Sequence, residues 1–337
     1  MCLPATPIGA SPLVSIVIAN WNGRSWLAQC LPTLQRQTFT DFEIIIVDNG
    51  STDGSVAWLT DNWPDVRLIP LKMNLGFAAA NNVGMRAARG RFIVTLNNDT
   101  LAEPDWLAAM VTAVTAPDVG MVAAKILVWN NPDVLDSTGI EVDVTGTAWN
   151  RGDGLPADTL FPADVFGPSG AAALYRREML AQIGLFDEDF FAYYEDVDLA
   201  WRARRAGWRC VYAAEAQINH WHSATGGQNL PLKAFFLGRN RVWCLLKNYA
   251  WPTLLWTAPL LLFYDTLAGV AQSLRLRDIA PLHGRWQAWL TARRMWRKRI
   301  PEAHSVSLHP PQLLQLPGRF LRSSSRSPLR PTSNGPN

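Results

Sequence analysis

The first hundred residues alternate between short apolar runs and dense polar turns. Residues 13–19 (LVSIVIA) form a continuous apolar run of strand length, closed by Asn20-Trp21-Asn22-Gly23. Runs without polar alternation read as strands buried on both faces. Trp26, Leu27, Cys30, Leu31 and Leu34 then recur at helical spacing. A second buried strand, 42–47 (FEIIIV), ends in Asp48-Asn49-Gly50-Ser51-Thr52-Asp53-Gly54-Ser55, a turn signal that opens a helix. Residues 66–70 read as a third strand, 77–89 as a helix stopped by Gly90, and 91–96 as a fourth strand. This β-α-β-α-β-α-β order predicts an α/β fold with a parallel sheet and right-handed crossovers.

Beyond residue 100 the pattern loosens. Residues 104–115 predict a helix, 119–127 a strand, and 128–165, rich in Gly, Asp, Asn and Pro, hairpins and loops. A glycine-rich strand start at 166–175 precedes helices at 177–183 and 195–206, and 208–212 and 216–221 read as two short strands. The segment 254–264 is strongly apolar, but Pro252, Pro259 and Asp265 predict a kinked, interrupted helix too short and broken to span a bilayer.

Composition adds two constraints. Hydrophobic residues make up 48% of 337, which is globular. Charge is unevenly placed: of 31 Lys+Arg and 28 Asp+Glu, twelve and two respectively follow residue 270. An acidic body with a basic tail predicts that the tail meets an anionic surface. Trp286, Trp289 and Trp296 lie among Arg285, Arg293, Arg294, Arg297, Lys298 and Arg299, the composition of an interfacial membrane helix. A packing helix with a solvated basic face is the plainer alternative. No recognition motif points to nucleic acid. Cys2, Cys30, Cys210 and Cys244 show no paired or metal-type spacing, as in a reducing compartment. Residues 1–11 do not read as a secretion signal, and the Ser-, Pro- and Arg-rich residues 311–337 read as a disordered tail.

Candidate chemistry follows the strand ends, which parallel topology gathers on one rim. Asn20-Trp21-Asn22, Asp48 and Asn97-Asn98-Asp99 would share it. Asp48 could accept from the imide N–H of uracil or thymine while Trp21 covers the ring; Asp53 reads as a turn and cap residue. Asp99 could hold a hard divalent cation and, through it, phosphates. Glu195, Asp196 and Asp198 enter a helix behind four aromatics, Phe190, Phe191, Tyr193 and Tyr194. Capping explains acidic residues there; an apolar wall would also raise one of them towards general-base values. His220 and His222 share one strand face and suit a metal or a diphosphate equally.

These segments together, "VSIVIANWNG", "FEIIIVDNGSTDGS", "NLGFAAANNVG", "LNNDT" and "GLFDEDFFAYYEDVDLAWRARRAG", resemble an inverting family 2 glycosyltransferase of the GT-A fold. Within it they are most similar to the rhamnosyltransferase-like branch that builds cell-surface polysaccharides. The likeness covers roughly residues 12–245. It implies a GT-A (Rossmann-like), mostly parallel sheet flanked by helices at 1–245, with a nucleotide-binding half at 12–100 and an acceptor half at 101–245. A helical, membrane-associating extension at 246–310 would follow. The resemblance places nucleotide-sugar contacts on Ala19, Trp21, Asp48, Asn74, Asn97 and Asp99, and on Arg239 in a basic loop near the diphosphate. It places Mg²⁺ or Mn²⁺ on Asp99 and His220, with His222 in reserve, and the catalytic base on Asp196. Asn97 stands where a strict acidic motif has its first Asp, which leaves the metal to Asp99 and the diphosphate. The expected donor is a dTDP- or UDP-sugar. The expected acceptor is a saccharide or a polyprenyl-diphosphate-linked one, met on the cytoplasmic face of the membrane. Two rival readings are a sugar-phosphate nucleotidyltransferase and a non-catalytic nucleotide-sugar- or membrane-binding subunit.

Overall fold

A computed structural model describes residues 11–221 and 229–299, with 306, 308 and 309. His222 and the tail beyond 310 lie outside the described residues. The first apolar runs become β1 (Val14–Asn20), β2 (Phe42–Asp48), β3 (Arg67–Pro70) and β4 (Phe92–Leu96), connected by α1 (Arg24–Gln35), α2 (Ser55–Asn62) and α3 (Phe77–Ala87). β1 pairs in parallel with both β2 and β4, and β2 with β3. The chain therefore winds outward from β1 in one direction, then returns to its other side. Open α/β sheets bind ligands at such a reversal, here beyond the carboxyl ends of β1 and β4.

The second half adds β5 (Thr100–Ala102), α4 (Trp106–Thr112), β6 (Val119–Val128), β7 (Asn131–Ser137), β8 (Ile140–Val142), β9 (Ala148–Asn150), β10 (Asp164–Val165), β11 (Ala172–Arg176), α5 (Arg177–Ile183), α6 (Glu195–Arg205) and β12 (Arg209–His220). The main sheet runs β10-β12-β6-β11-β4-β1-β2-β3, with β5 on β12 and β7 on β6. β11 lies antiparallel between β4 and β6, so the sheet is mixed, while β1 to β4 pair with one another in parallel. The two short strands expected at 208–221 are one strand, bent by a register shift between Ala213 and Gln217.

Burial on both faces explains the apolar runs. Val14, Ile16 and Ile18 of β1 pack towards Leu27, Leu31 and Leu34 of α1, whereas Val17 packs towards Met85 and α3. Gly84 lets α3 approach that closely, since a Cβ there would stand 2.3 Å from Val17 Cγ1.

The chain closes with α7 (Leu230–Asn248), α8 (Trp251–Leu276), α9 (Ala280–Leu290) and α10 (Ala292–Trp296). The expectation of a broken apolar helix is corrected: α8 is one helix of 26 residues, long and apolar enough to cross a membrane by length and composition. Pro252 lies in its first turn, where a missing N–H costs no helical bond, and Pro259 is carried inside. Asp265 is buried against Arg241 of α7 and Arg285 of α9, whose Nε donates to it at 2.9 Å. Leu261, Asp265 and Gly269 form the buried stripe of α8, while Leu255, Trp256, Leu260, Leu262, Phe263 and Leu267 are exposed.

Candidate functional site

Asn20, buried at the end of β1, joins three strand ends. Its amide nitrogen donates to Asp48 Oδ2 at 2.9 Å and to Ser51 Oγ at 3.3 Å, and its oxygen accepts from Asn98 Nδ2 at 2.7 Å. Asp48 Oδ1 accepts from the Ser51 N–H at 2.9 Å. One residue on, Asn49 donates to Asn74 Oδ1 (2.9 Å) and accepts from Leu75 N–H (2.8 Å). Asn74 in turn accepts from Gly76 N–H. Asp48 thus stands on the predicted rim and Asn74 reaches it through Asn49, with Ala19 half-buried and Trp21 41% exposed. Asp53 accepts from the Arg24 and Ser55 amides, the turn role expected of it.

The β4 end leads into the second cluster. β5 pairs with β12 so that Thr100 faces His220, and the Trp221 N–H donates to the Asp99 carbonyl. His220 Nε2 lies 3.3 Å from Asp99 Oδ1 and 3.3 Å from the Asn97 amide, while Nδ1 bonds Asp136 Oδ2 of β7 at 2.9 Å. Burial would lower the imidazole's pKa, but the charges of Asp99 and Asp136 raise it to about 10. A carboxylate behind the distal nitrogen of a histidine is the arrangement that orients metal-binding imidazoles. No group of three or more His, Cys, Asp or Glu among the described residues forms a ready-made metal cage. Asp99 offers the carboxylate that a hard cation takes beside phosphates and water, whereas His220, held protonated between Asp99 and Asp136, would join it only by giving up its Nε2 proton to the ion.

The third cluster arrives from below β11. A 3-10 turn, Glu188–Phe190, leads into residues with positive φ: Phe191 (64°), Tyr193 (68°) and Tyr194 (71°). α6 begins directly after them. Asp196 Oδ2 accepts from Gly170 N–H at 3.0 Å and Oδ1 from Val197 N–H at 2.8 Å. The Gly170 carbonyl accepts from Thr95 of β4, and the Asn97 N–H donates to the neighbouring Ala171 carbonyl. Asp196 is therefore separated from the start of Asn97-Asn98-Asp99 by a single backbone step. Burial raises its pKa, against the lowering effect of the two amides. Glu195 is buried, and one of its oxygens has no hydrogen-bond partner among the described residues; burial and the neighbouring carboxylates push its pKa well up.

Asp198 is the opposite case. Burial would raise it, but Lys247, Arg202 and Asn248 hold its pKa down to about 2. The three donors stand 2.9, 2.9 and 2.8 Å away. Three adjacent acids are thus divided by their surroundings into a locked ion pair and two protonatable groups.

Arg239 is not brought to this rim. Its guanidinium donates to the Asp189 and Phe190 carbonyls and stacks 4.2 Å from the Trp243 ring centroid. Burial lowers its pKa to about 10. Lys233 Nζ lies 5.6 Å from the Tyr193 ring centroid, and burial lowers its pKa against the opposing charge of Asp136.

The glycosyl transferase family 2 model matches residues 15–184, half of the chain, which includes Asn20, Asp48, Asn74, Asp99 and Asp136 but ends before Asp196 and His220. The chain belongs to glycosyl transferase family 2. Among curated relatives, it is 30% identical over 232 residues to the O-antigen biosynthesis protein RfbC of Myxococcus xanthus, covering 65% of this chain but 18% of that protein. It is 29% identical over 245 residues to the N-acetylglucosaminyl-diphospho-decaprenol L-rhamnosyltransferase of Mycobacterium tuberculosis, covering 64% of this chain and 78% of that one. Two solved structures share the fold. One is a mannosyltransferase of Pyrobaculum calidifontis in complex with GDP-Man and Mn²⁺ (TM-score 0.52, 19% identity, 88% of this chain and 77% of that one). The other is GalNAc-T7 with UDP, GalNAc and Mn²⁺ (TM-score 0.57, 16% identity, 70% and 48%).

Sequence reasoning put Asn20 on the rim without its joining role, and it missed Asp136 behind His220. Asn20 follows a strand directly, so its position carried a signal. Asp136 sits in a segment whose composition reads as loop, and nothing local ties it to a histidine 84 residues away.

Proposed function

We propose that this family 2 glycosyltransferase transfers a hexosyl group, rhamnosyl being the first candidate, from a dTDP- or UDP-sugar with inversion. The acceptor would be a saccharide or a polyprenyl-diphosphate-linked saccharide used in cell-surface polysaccharide synthesis. The observation that carries the reading is Asp196: a carboxylate of raised pKa, one backbone step from the rim that holds Asp99. Asp196 would take the proton of the acceptor hydroxyl as the anomeric carbon is attacked from the face opposite the leaving diphosphate. Asp48, Asn74 and Trp21 would hold the nucleoside at the outer rim, with Ala19 beneath it. Asp99 and His220, with Asn97 beside them, would hold Mg²⁺ or Mn²⁺. Such an ion supplies charge neutralisation to the departing diphosphate. Lys233 is better placed than Arg239 to add a positive charge there, since Arg239 is committed to the turn beneath. The rhamnosyltransferase relative, whose name includes a decaprenol-linked acceptor, supports a lipid-linked substrate. The exposed apolar face of α8, with exposed Arg275, Arg277, Arg293 and Arg297 nearby, supports docking on an anionic inner membrane surface.

The test is nucleotide release from UDP-, GDP- and dTDP-sugars with Mn²⁺, with and without acceptor. Acceptor-dependent release of nucleoside diphosphate is expected. Release of pyrophosphate would support a nucleotidyltransferase instead, and binding without turnover a non-catalytic subunit. Asp196→Asn is expected to keep nucleotide affinity and lose transfer by at least about a hundredfold, the scale of a lost general base. Wild-type turnover in that variant would sink the role.

A further inference from the structure

The turn that delivers Asp196 is held in a conformation its own residues disfavour. Phe191, Tyr193 and Tyr194 all carry side chains yet take positive φ within four residues. Such backbone persists only where its surroundings over-determine it. Here one side chain meets three of the turn's carbonyls. Asn240 of α7 is fully buried, and its amide nitrogen donates to the carbonyls of Phe190, Ala192 and Tyr193 at 3.0, 2.8 and 2.7 Å. Its oxygen is fixed by Arg239 Nε at 2.9 Å, and Arg239 reaches the Asp189 and Phe190 carbonyls itself. From the other side Gly76, at φ +90°, leaves room for the Phe191 ring, and Phe191 stacks on Phe236 of α7 at 5.3 Å.

We propose that Asn240 is a positioning residue: its carboxamide pins the turn 190–194 so that α6 starts with Asp196 aimed at the sugar-transfer site. This rests on the assignment of Asp196 as the base. A carboxamide suits the task because one NH₂ group can serve several converging carbonyls while its own oxygen is tied down. Neither a carboxylate nor a hydroxyl can do both.

The test uses the full chain with Asn240→Asp, which keeps the volume but turns an oxygen towards the carbonyls, and Asn240→Ser, which keeps one donor. Nucleotide-sugar affinity is read by calorimetry, kcat across pH, and amide hydrogen exchange over residues 188–197 and 42–50. The expected result is faster exchange at 188–197 alone, with affinity unchanged within about twofold. Loss of kcat by up to about a hundredfold is expected, the cost of misplacing a reacting group by about an ångström. The acidic limb of kcat should also move to lower pH, because Asp196 set free into water loses the burial that raises it. Parallel loss of affinity and kcat, or unchanged exchange at 188–197, would overturn the proposal. If Asn240→Asp does not fold, Asn240→Ser decides by the same criteria. If the wild-type chain transfers no sugar, the assigned activity fails by itself, and the exchange measurement alone upholds or overturns the clamp.

Discussion

Replacing Asp198 by Asn tests whether the locked member of the acidic trio supports the fold rather than the chemistry. Asp198 is fully buried and receives Arg202 Nε, Lys247 Nζ and Asn248 Nδ2. Its pKa falls from the ordinary 3.8 to about 2 on folding, which corresponds to about 2–3 kcal/mol of stability at neutral pH. Breaking a buried pair by removing one partner costs about 3–5 kcal/mol, because it strands the other charge. Lys247 would keep Asp187 at 2.8 Å, and Arg202 would keep the carbonyls of Ile183 and Leu185. The expected loss therefore lies at the lower end, about 3 kcal/mol, or about 4–5 °C in melting temperature for a chain of this size. The sign with pH is fixed: a depressed carboxyl contributes fully above its unfolded value of 3.8 and loses that contribution as pH falls towards 2. Urea titrations of wild type and variant at pH 7, 5 and 3 should show a gap that is constant from 7 to 5 and narrower at 3. A difference under about 1 kcal/mol at pH 7, or one that does not shrink at pH 3, would refute the reasoning.

Other outcomes follow from the same geometry. Asp99→Ala should abolish the manganese-dependent part of nucleotide binding; equal calorimetric affinities with and without Asp99 would count against it. Asp136→Asn should weaken Mn²⁺ affinity about 10–100-fold, the usual cost of losing a carboxylate behind a metal-binding histidine; titration of the nucleotide complex measures it, and an unchanged curve removes Asp136 from that role. Leu255→Asp combined with Phe263→Asp, both on the open side of α8, should cut flotation with anionic vesicles at least about tenfold while helix content stays constant. Full flotation of that variant would assign the bilayer contact elsewhere.

The first four strands were legible because their signals are local. Val14 to Ile18, broken only by Ser15, and Ile44 to Val47 are buried on both faces and are written as apolar runs, and each run leads to the polar residue that reaches the rim. The same logic placed Asn97-Asn98-Asp99, whereas the acids of α6 were read from a helix start behind four aromatics. What escaped depends on distant partners. β12 reads as two pieces because its bend falls between Ala213 and Gln217, a shift that only the pairing with β6 exposes. α8 reads as broken because Asp265 looks like an interruption; Arg241 and Arg285, 24 and 20 residues away, turn that charge into a packing contact. Arg239 looks like a basic loop residue free for phosphate, and only the fold reveals the carbonyls that occupy it.

Lys247 bridges Asp187 and Asp198, and Lys298 bridges Asp187 and Asp189. The helices after residue 229 and the turn before α6 therefore share one set of charges, although the family match ends at residue 184. Grafting the C-terminal helices of a relative onto this catalytic half would leave Asp187, Asp189 and Asp198 facing foreign side chains. Chimeras in this family should be cut so that those acids and their lysines travel together; a joint placed at residue 245 divides them.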